Sequence, residues 1–304
     1  MMREVLKLEN ISFFYKKENL IINNLNAVFY PGIITALLGI NGSGKTTLFK
    51  ILTGINLPIS GNFSYGDIRI DDSNILYYKS LIGFMPEFLQ LYKDMRVTDV
   101  LILLASLKGC NNFDLESILR TVYLYEHKDK KVKALSKGMK QRLNLAQAII
   151  GQPKIVLFDE PSNGFDCGSI LMFYDILKSV AKNGSIVLLS SHHLSEIYNN
   201  VDRVLILSSG KILKEIEISK VHIFDEIFYK YIWIYANFNI DVNFLKLLKQ
   251  KYTDLNIFNE NLLHGRVFSK DVVILLSELI SFGVNILDLR IEDRILEDTL
   301  IRLS

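Results

Sequence analysis

An α/β fold with a mostly parallel sheet, followed by a small α+β domain, is predicted by three observations. Short, uninterrupted apolar runs such as Ile155–Phe158 and Ile186–Leu189 have the form of strands buried on both faces. Stretches with helical apolar spacing separate such runs, and the succession strand, crossover helix, strand implies a parallel sheet. Composition then shifts once: all five prolines, from Pro31 to Pro161, fall before residue 162, and from about Val221 Ile, Leu, Phe, Tyr and Asn dominate. The boundary falls within residues 215–222, giving domains 1–217 and 218–304. A chain of 304 residues allows about two domains at roughly 150 residues each.

Taken in order, Val5–Ser12 reads as a strand, Ile33–Leu38 as a buried strand, and Lys45–Thr53 as the start of a helix. Leu115–Tyr125 and Gly138–Ile150 carry helical apolar spacing. VDRVLILSSGKILKE is strand-like. In the tail, Tyr229–Phe238 predicts a strand and Val242–Tyr252 a helix. Leu255–Phe268 holds one or two strands, Asp271–Phe282 a helix and Val284–Ile291 a strand, with LEDTLIRL closing as a helix. The order β-α-β-β-α-β is that of a ferredoxin-like plait. Trp233, the only tryptophan, is expected in the core of its strand.

The chain is 49% hydrophobic and 22% charged, with a mean hydropathy of +0.23, enough apolar material for a large core and too much for a disordered protein. A net charge of +2 lacks the basic surplus of a nucleic-acid binder, so no nucleic-acid partner is expected. Cys110 and Cys167 form neither a disulfide framework nor a metal-ligand cluster, which suits a reducing compartment. The apolar stretches Val100–Leu107 and Asp271–Leu287 are too short to span a bilayer or are broken by Ser277, Glu278 and Asn285. MMREVLKLENISFF has no signal-peptide pattern. A soluble intracellular protein is expected.

Two motifs carry chemistry. GINGSGKT (Gly39–Thr46), followed by Thr47, matches G-x-x-x-x-G-K-[ST] and joins the strand IITALL to the helix TTLFKILTG. Gly39, Gly42 and Gly44 let the backbone between Asn41 and Ser43 curl into an anion nest at a helix N-terminus. Lys45 would reach the β- and γ-phosphates and Thr46 would meet Mg²⁺. The pattern arises in roughly one random chain of this length in a hundred, and its strand–loop–helix setting makes it rarer still. Second, IVLFDEP (Ile155–Pro161) is an apolar strand ending in two carboxylates. Asp159 can hold Mg²⁺, a hard cation that takes oxygen ligands, and Glu160 could polarise a water for attack on the γ-phosphorus.

Between these motifs, LSKGMKQRL (Leu135–Leu143) resembles the signature of ABC transporter ATPases, and the resemblance covers about residues 1–215. It implies an ATPase domain whose mostly parallel core sheet is joined by an antiparallel β subdomain and a helical subdomain, with ATP and Mg²⁺ as cofactors. By that likeness Ser136 and Gly138 touch the γ-phosphate held by a partner, so the chain needs a second ATPase subunit in a head-to-tail dimer. Tyr15 stands where an aromatic stacks on adenine, His192 where a switch histidine helps place Glu160, and Asp166, in SNGFD, in the loop that links the two sites. The usual glutamine is replaced by Glu87, which puts its approach to Mg²⁺ in doubt. Glu87–Val97 would face a membrane subunit.

The layout resembles bacterial exporter ATPases that serve separate six-helix permeases, and ILDLRIEDRILEDTLIRL looks like their closing segment. GFMPEFLQLY, the SLKG run at 106–109, KVKALSKGMKQRLNLAQAIIGQP and SSHHLSEIYNNVDRVLIL resemble the NosF-type ATPase of nitrous-oxide-reductase copper maturation. Drug, antibiotic-peptide and bacteriocin exporters share parts of each and stand as the alternative. Soluble ABC ATPases of translation or DNA repair are remote, since neither a second head nor an inserted coiled coil is present. The expected location is cytoplasmic, peripheral on the inner face of the cell membrane.

Overall fold

A computed structural model describes residues 4–16, 19–110, 112–191, 197, 200–218, 229–237, 242–259, 261–268 and 271–292. The chain divides into two compact units, Met1–Ile216 and Glu217–Ser304. In the first, strands β1 (Leu6–Lys16), β2 (Asn19–Phe29), β4 (Ser60–Tyr65) and β5 (Ile68–Arg69) form an antiparallel sheet of order β2-β1-β4-β5. A six-stranded sheet has the order β10-β9-β3-β8-β7-β6, built from β3 (Ile34–Leu38), β6 (Ile82–Met85), β7 (Ile155–Phe158), β8 (Ile186–Ser191), β9 (Arg203–Ser208) and β10 (Lys211–Glu217). Neighbours from β6 to β9 pair parallel, and every residue of β3, β7 and β8 is buried. Their uninterrupted apolar runs have this cause. Ser209 and Gly210, both at positive φ, form the two-residue turn that folds β10 back on β9.

Helix α1 (Lys45–Leu52) buries Leu48, Phe49, Ile51 and Leu52 in a cluster that also takes Leu6, Phe29 and Phe63 from the antiparallel sheet and Leu157, Leu188 and Leu205 from the parallel one. It therefore ties both sheets to the loop that precedes it. The described residues of this unit also form helices α2 (Ile75–Ser80), α3 (Val97–Leu107), α4 (Leu115–Thr121), α5 (Lys137–Ile149) and α6 (Cys167–Lys182). α4 stops four residues before the expected Tyr125, because Tyr123 adopts φ +54 and the chain turns into a single 3₁₀ turn at Tyr125–His127. No helix among the described residues is long and apolar enough to cross a membrane; Val100–Leu107 lies in α3.

In the second unit β11 (Tyr229–Asn237), α7 (Val242–Lys251), β12 (Leu255–Asn259), β13 (Leu262–Phe268), α8 (Val272–Ser281) and β14 (Asn285–Glu292) follow the expected β-α-β-β-α-β order. The strands form an antiparallel sheet of order β12-β13-β11-β14. Ile232, Ile234 and Ala236 of β11 pack with Leu248 of α7 and Leu275 and Leu279 of α8. Trp233 is not in that core, contrary to expectation. Side chains alternate along a strand, so between buried Ile232 and Ile234 it faces the other side of the sheet, half-buried and stacked on Tyr231 at 6.2 Å. The predicted closing helix LEDTLIRL lies outside the described residues.

Candidate active site

The loop between β3 and α1 brings the predicted phosphate-binding residues to one cleft. Gly42 (φ +83) and Gly44 (φ +109) occupy the left-handed region that favours glycine, and Gly44 caps α1. A Cβ on Gly39 would lie 2.4 Å from Ser43 Oγ and 2.6 Å from the Leu207 carbonyl, so only glycine fits. The loop is also held from the β9–β10 turn, where the Gly210 N–H donates to the Ser43 carbonyl at 3.0 Å. Lys45 Nζ donates to the Gly39 carbonyl at 2.7 Å and lies 3.3 Å from Glu160 Oε1, both side chains being largely buried. A cleft of about 500 Å³ is lined by Asn41, Gly42, Gly44, Lys45, Thr46 and Thr47, with Glu87, Glu160, Leu20 and Ser209 across from them.

Asp159 and Glu160 follow the end of β7; Glu160 lines the cleft, and Asp159 is buried behind it in a hydrogen bond with Thr46. Burial raises the Asp159 carboxyl above its ordinary range, against hydroxyl bonds from Ser190 and Thr46. Ser190 is fully buried at the end of β8; its hydroxyl donates to Asp159 Oδ1 at 2.6 Å and accepts the Glu160 N–H at 2.8 Å. Glu160 itself has φ +46, an uncommon conformation for a non-glycine residue and one held here by its neighbours.

The remaining predicted residues divide. Glu87, just past β6, lines the cleft and accepts a bond from Asn163 Nδ2 at 3.1 Å. Ser136 caps α5 by accepting the Met139 N–H, and Asp166 caps α6 by accepting the Ser169 N–H at 2.7 Å. Hydrogen bonds from Ser169 hold the Asp166 carboxyl below its usual range. Neither these residues nor Gly138 lines the cleft that holds Lys45. Tyr15 is half exposed beneath Lys50 Nζ (5.7 Å) and likewise lies off the cleft lining, whereas Phe13 is buried. His192 lies outside the described residues. The larger hollow beside α4 and α6, about 780 Å³, holds none of the predicted residues.

These residues fit a phosphate ligand. Ser43 Oγ is buried with no hydrogen-bond partner among the described residues, and it sits in a glycine loop at a helix N-terminus beside a lysine. No group of three His, Cys, Asp or Glu among the described residues could hold a metal by itself. Mg²⁺ is commonly held by one or two carboxylates together with phosphate oxygens, so Asp159, Thr46 and Glu87 suit an ion carried in with a nucleotide.

Residues 22–163 match the family model for ABC transporters. The lantibiotic transport ATP-binding protein SrtF of Streptococcus pyogenes is 33% identical over 224 residues, covering 74% of this chain and 96% of its own. The chain belongs to the ABC transporter ATP-binding proteins. As such it is an ATPase whose hydrolysis is coupled to transport. Among other ABC transporter proteins, the bacitracin transport ATP-binding protein BcrA of Enterococcus faecalis is 33% identical over 224 residues, 73% of this chain and 72% of that one. A dimeric ABC transporter cassette of solved structure superposes with a TM-score of 0.63 at 21% identity, over 70% of this chain and 98% of that one, which shows the shared fold.

Sequence reasoning missed Ser190, Asn163, the Ser209–Gly210 turn, and three amides on α5, Gln141, Asn144 and Gln147. The amides carried a signal, since they recur at i, i+3 and i+6 along one face of the helix, beside the buried Leu145 and Ala148. The others act through contacts distant in sequence.

Proposed function

We propose that this ABC transporter ATPase drives export of an antibiotic-peptide or drug-like cargo through a separate membrane permease, working as a dimer of such chains at the inner face of the cell membrane. The observation carrying the cargo class is the 33% identity to proteins named for lantibiotic and bacitracin transport. It favours efflux over copper maturation of nitrous-oxide reductase, the NosF-type reading. In this proposal Lys45 and the loop from Gly39 to Thr47 bind the phosphates of ATP. Thr46, Asp159 and Glu87 hold Mg²⁺, which when bound neutralises phosphate charge. Glu160 accepts a proton from water as the water oxygen bonds to the γ-phosphorus and the bond to ADP breaks. His192 helps place Glu160.

Ser136 and Gly138 meet the γ-phosphate bound by the partner chain, and Asp166 links the two sites. Support comes from the position of Ser136 and Gly138 off their own chain's cleft. The second unit, read as a ferredoxin-like plait, serves as an accessory domain.

Glu160→Gln is expected to bind ATP, lose turnover by roughly 100-fold or more, and accumulate as a closed dimer by size-exclusion chromatography. Brisk hydrolysis would remove Glu160 from the role of base. Deleting the chain from its host should sensitise cells to bacitracin or a lantibiotic. A copper-poor nitrous-oxide reductase with unchanged antibiotic tolerance would overturn the cargo assignment.

A further inference from the structure

Helix α5 buries three amide side chains on successive turns, Gln141, Asn144 and Gln147, each 9% exposed or less. Buried amides are costly unless satisfied, and here they are used on a short stretch of chain. Gln147 Nε2 donates to the Phe84 carbonyl at 2.6 Å and Asn144 Nδ2 to the Pro86 carbonyl at 2.9 Å, on either side of the last residue of β6. Gln141 Nε2 donates to the Asn163 carbonyl at 2.7 Å. The amides also bond one another, Gln147 to Asn144 at 3.1 Å and Asn144 to Gln141 at 3.4 Å.

Asn163 closes the circuit. Its carbonyl takes Gln141, its N–H donates to the Glu160 carbonyl at 3.3 Å, and its side-chain amide donates to Glu87 Oε1 at 3.1 Å. Glu87 is thus fixed twice, through the Pro86 backbone by α5 and through its own carboxylate by Asn163. The helix that supplies these bonds begins at Ser136.

We propose that Asn163 is the positioning residue for Glu87, and that the row Gln141–Asn144–Gln147 joins it to α5 as one rigid relay. A displacement of the Ser136 end of α5 then moves the Glu87 carboxylate and the Glu160 turn together. The inference rests on the reading of Glu87 as a group that acts in the nucleotide cleft. It also accounts for a carboxylate where glutamine is usual: both oxygens of Glu87 accept, so one can take the Asn163 donor while the other remains for the cleft.

A side-chain exchange tests the relay. Asn163→Asp sets two carboxylates against each other, and kcat is expected to fall about tenfold or more with KM for ATP within about twofold. Adding Glu87→Gln restores a donor–acceptor pair in the reverse sense, and the double variant should recover most of the loss. The second readout needs no nucleotide. In the full chain alone, Asn163→Ser and Gln141→Ala should each speed amide hydrogen exchange across residues 87–90 about tenfold while leaving β1 and β2 unchanged. Unaltered exchange at 87–90, or a double variant no faster than Asn163→Asp, overturns the relay. If exchange responds as expected while Glu87→Ala leaves the Mg²⁺ dependence of hydrolysis unchanged, the relay stands and the placement of Glu87 beside Mg²⁺ fails.

Discussion

Replacing Ser190 by alanine removes one oxygen that serves two adjacent residues. The Glu160 N–H loses its acceptor at 2.8 Å and Asp159 loses a donor at 2.6 Å, in a position with no solvent exposure. An orphaned buried N–H costs about 1–3 kcal/mol, and a lost hydrogen bond to a charged group about 1.5–3 kcal/mol. Together they come to about 2.5–6 kcal/mol, or a fall in Tm of roughly 5–20 °C for a unit of this size. Glu160 would also lose the bond that helps hold its left-handed backbone, and a carboxylate displaced by about 1 Å can cost 10²-fold in rate. Calorimetry of the nucleotide-free chain measures the first effect, and steady-state ATPase assays the second. Ser190→Thr is the control: it keeps the oxygen but crowds a methyl into a packed site at about 1–3 kcal/mol, so it should be less stable yet still hydrolyse ATP. An alanine variant with parental turnover and a Tm within about 2 °C of the parent would refute the reasoning.

Three further predictions follow from charge. Burial raises the Asp159 carboxyl, so the ionised group destabilises the folded chain above its folded value and that penalty vanishes as pH falls below the unfolded value of about 3.9. Asp159→Asn should therefore melt higher than the parent at pH 7 without nucleotide while losing hydrolysis; a lower Tm contradicts the assignment of burial as the main cause. Lys45→Ala should weaken ATP binding about 10- to 100-fold by calorimetric titration, and unchanged affinity would remove Lys45 from the phosphate site. Burial pushes Lys108, whose Nζ donates to the Gln147 carbonyl, down to about 8. A folded value below the unfolded value of about 10.4 means a penalty fully present below pH 8 that fades as pH rises through that window. The parent should therefore gain about 1–2 kcal/mol on Lys108→Met between pH 8 and 10 in urea titrations, whereas a constant difference would contradict the burial.

The parallel core was legible because strands covered on both faces must be apolar throughout, as in Ile155–Phe158. β2 was not: Asn19, Asn23, Asn24 and Asn26 interrupt its pattern, and its place in the sheet comes from pairing with β1. The phosphate loop could be read because its chemistry is local, one glycine per backbone requirement. Ser190 and Asn163 could not, since each works through a partner, Asp159 or Glu87, that is 31 or 76 residues away in sequence. Trp233 was misplaced for a different reason. Hydrophobicity alone names no face of a strand, and the flanking isoleucines decided it.

That outward, half-buried tryptophan has an optical use. It is the sole indole in the chain and belongs to Glu217–Ser304, while Met1–Ile216 contains only tyrosine and phenylalanine as aromatic residues. Selective indole excitation therefore reports the melting of the smaller unit alone, and circular dichroism reports both. If the emission shifts at a lower denaturant concentration than the ellipticity falls, the two units unfold separately; coincident curves would mean that they melt as one.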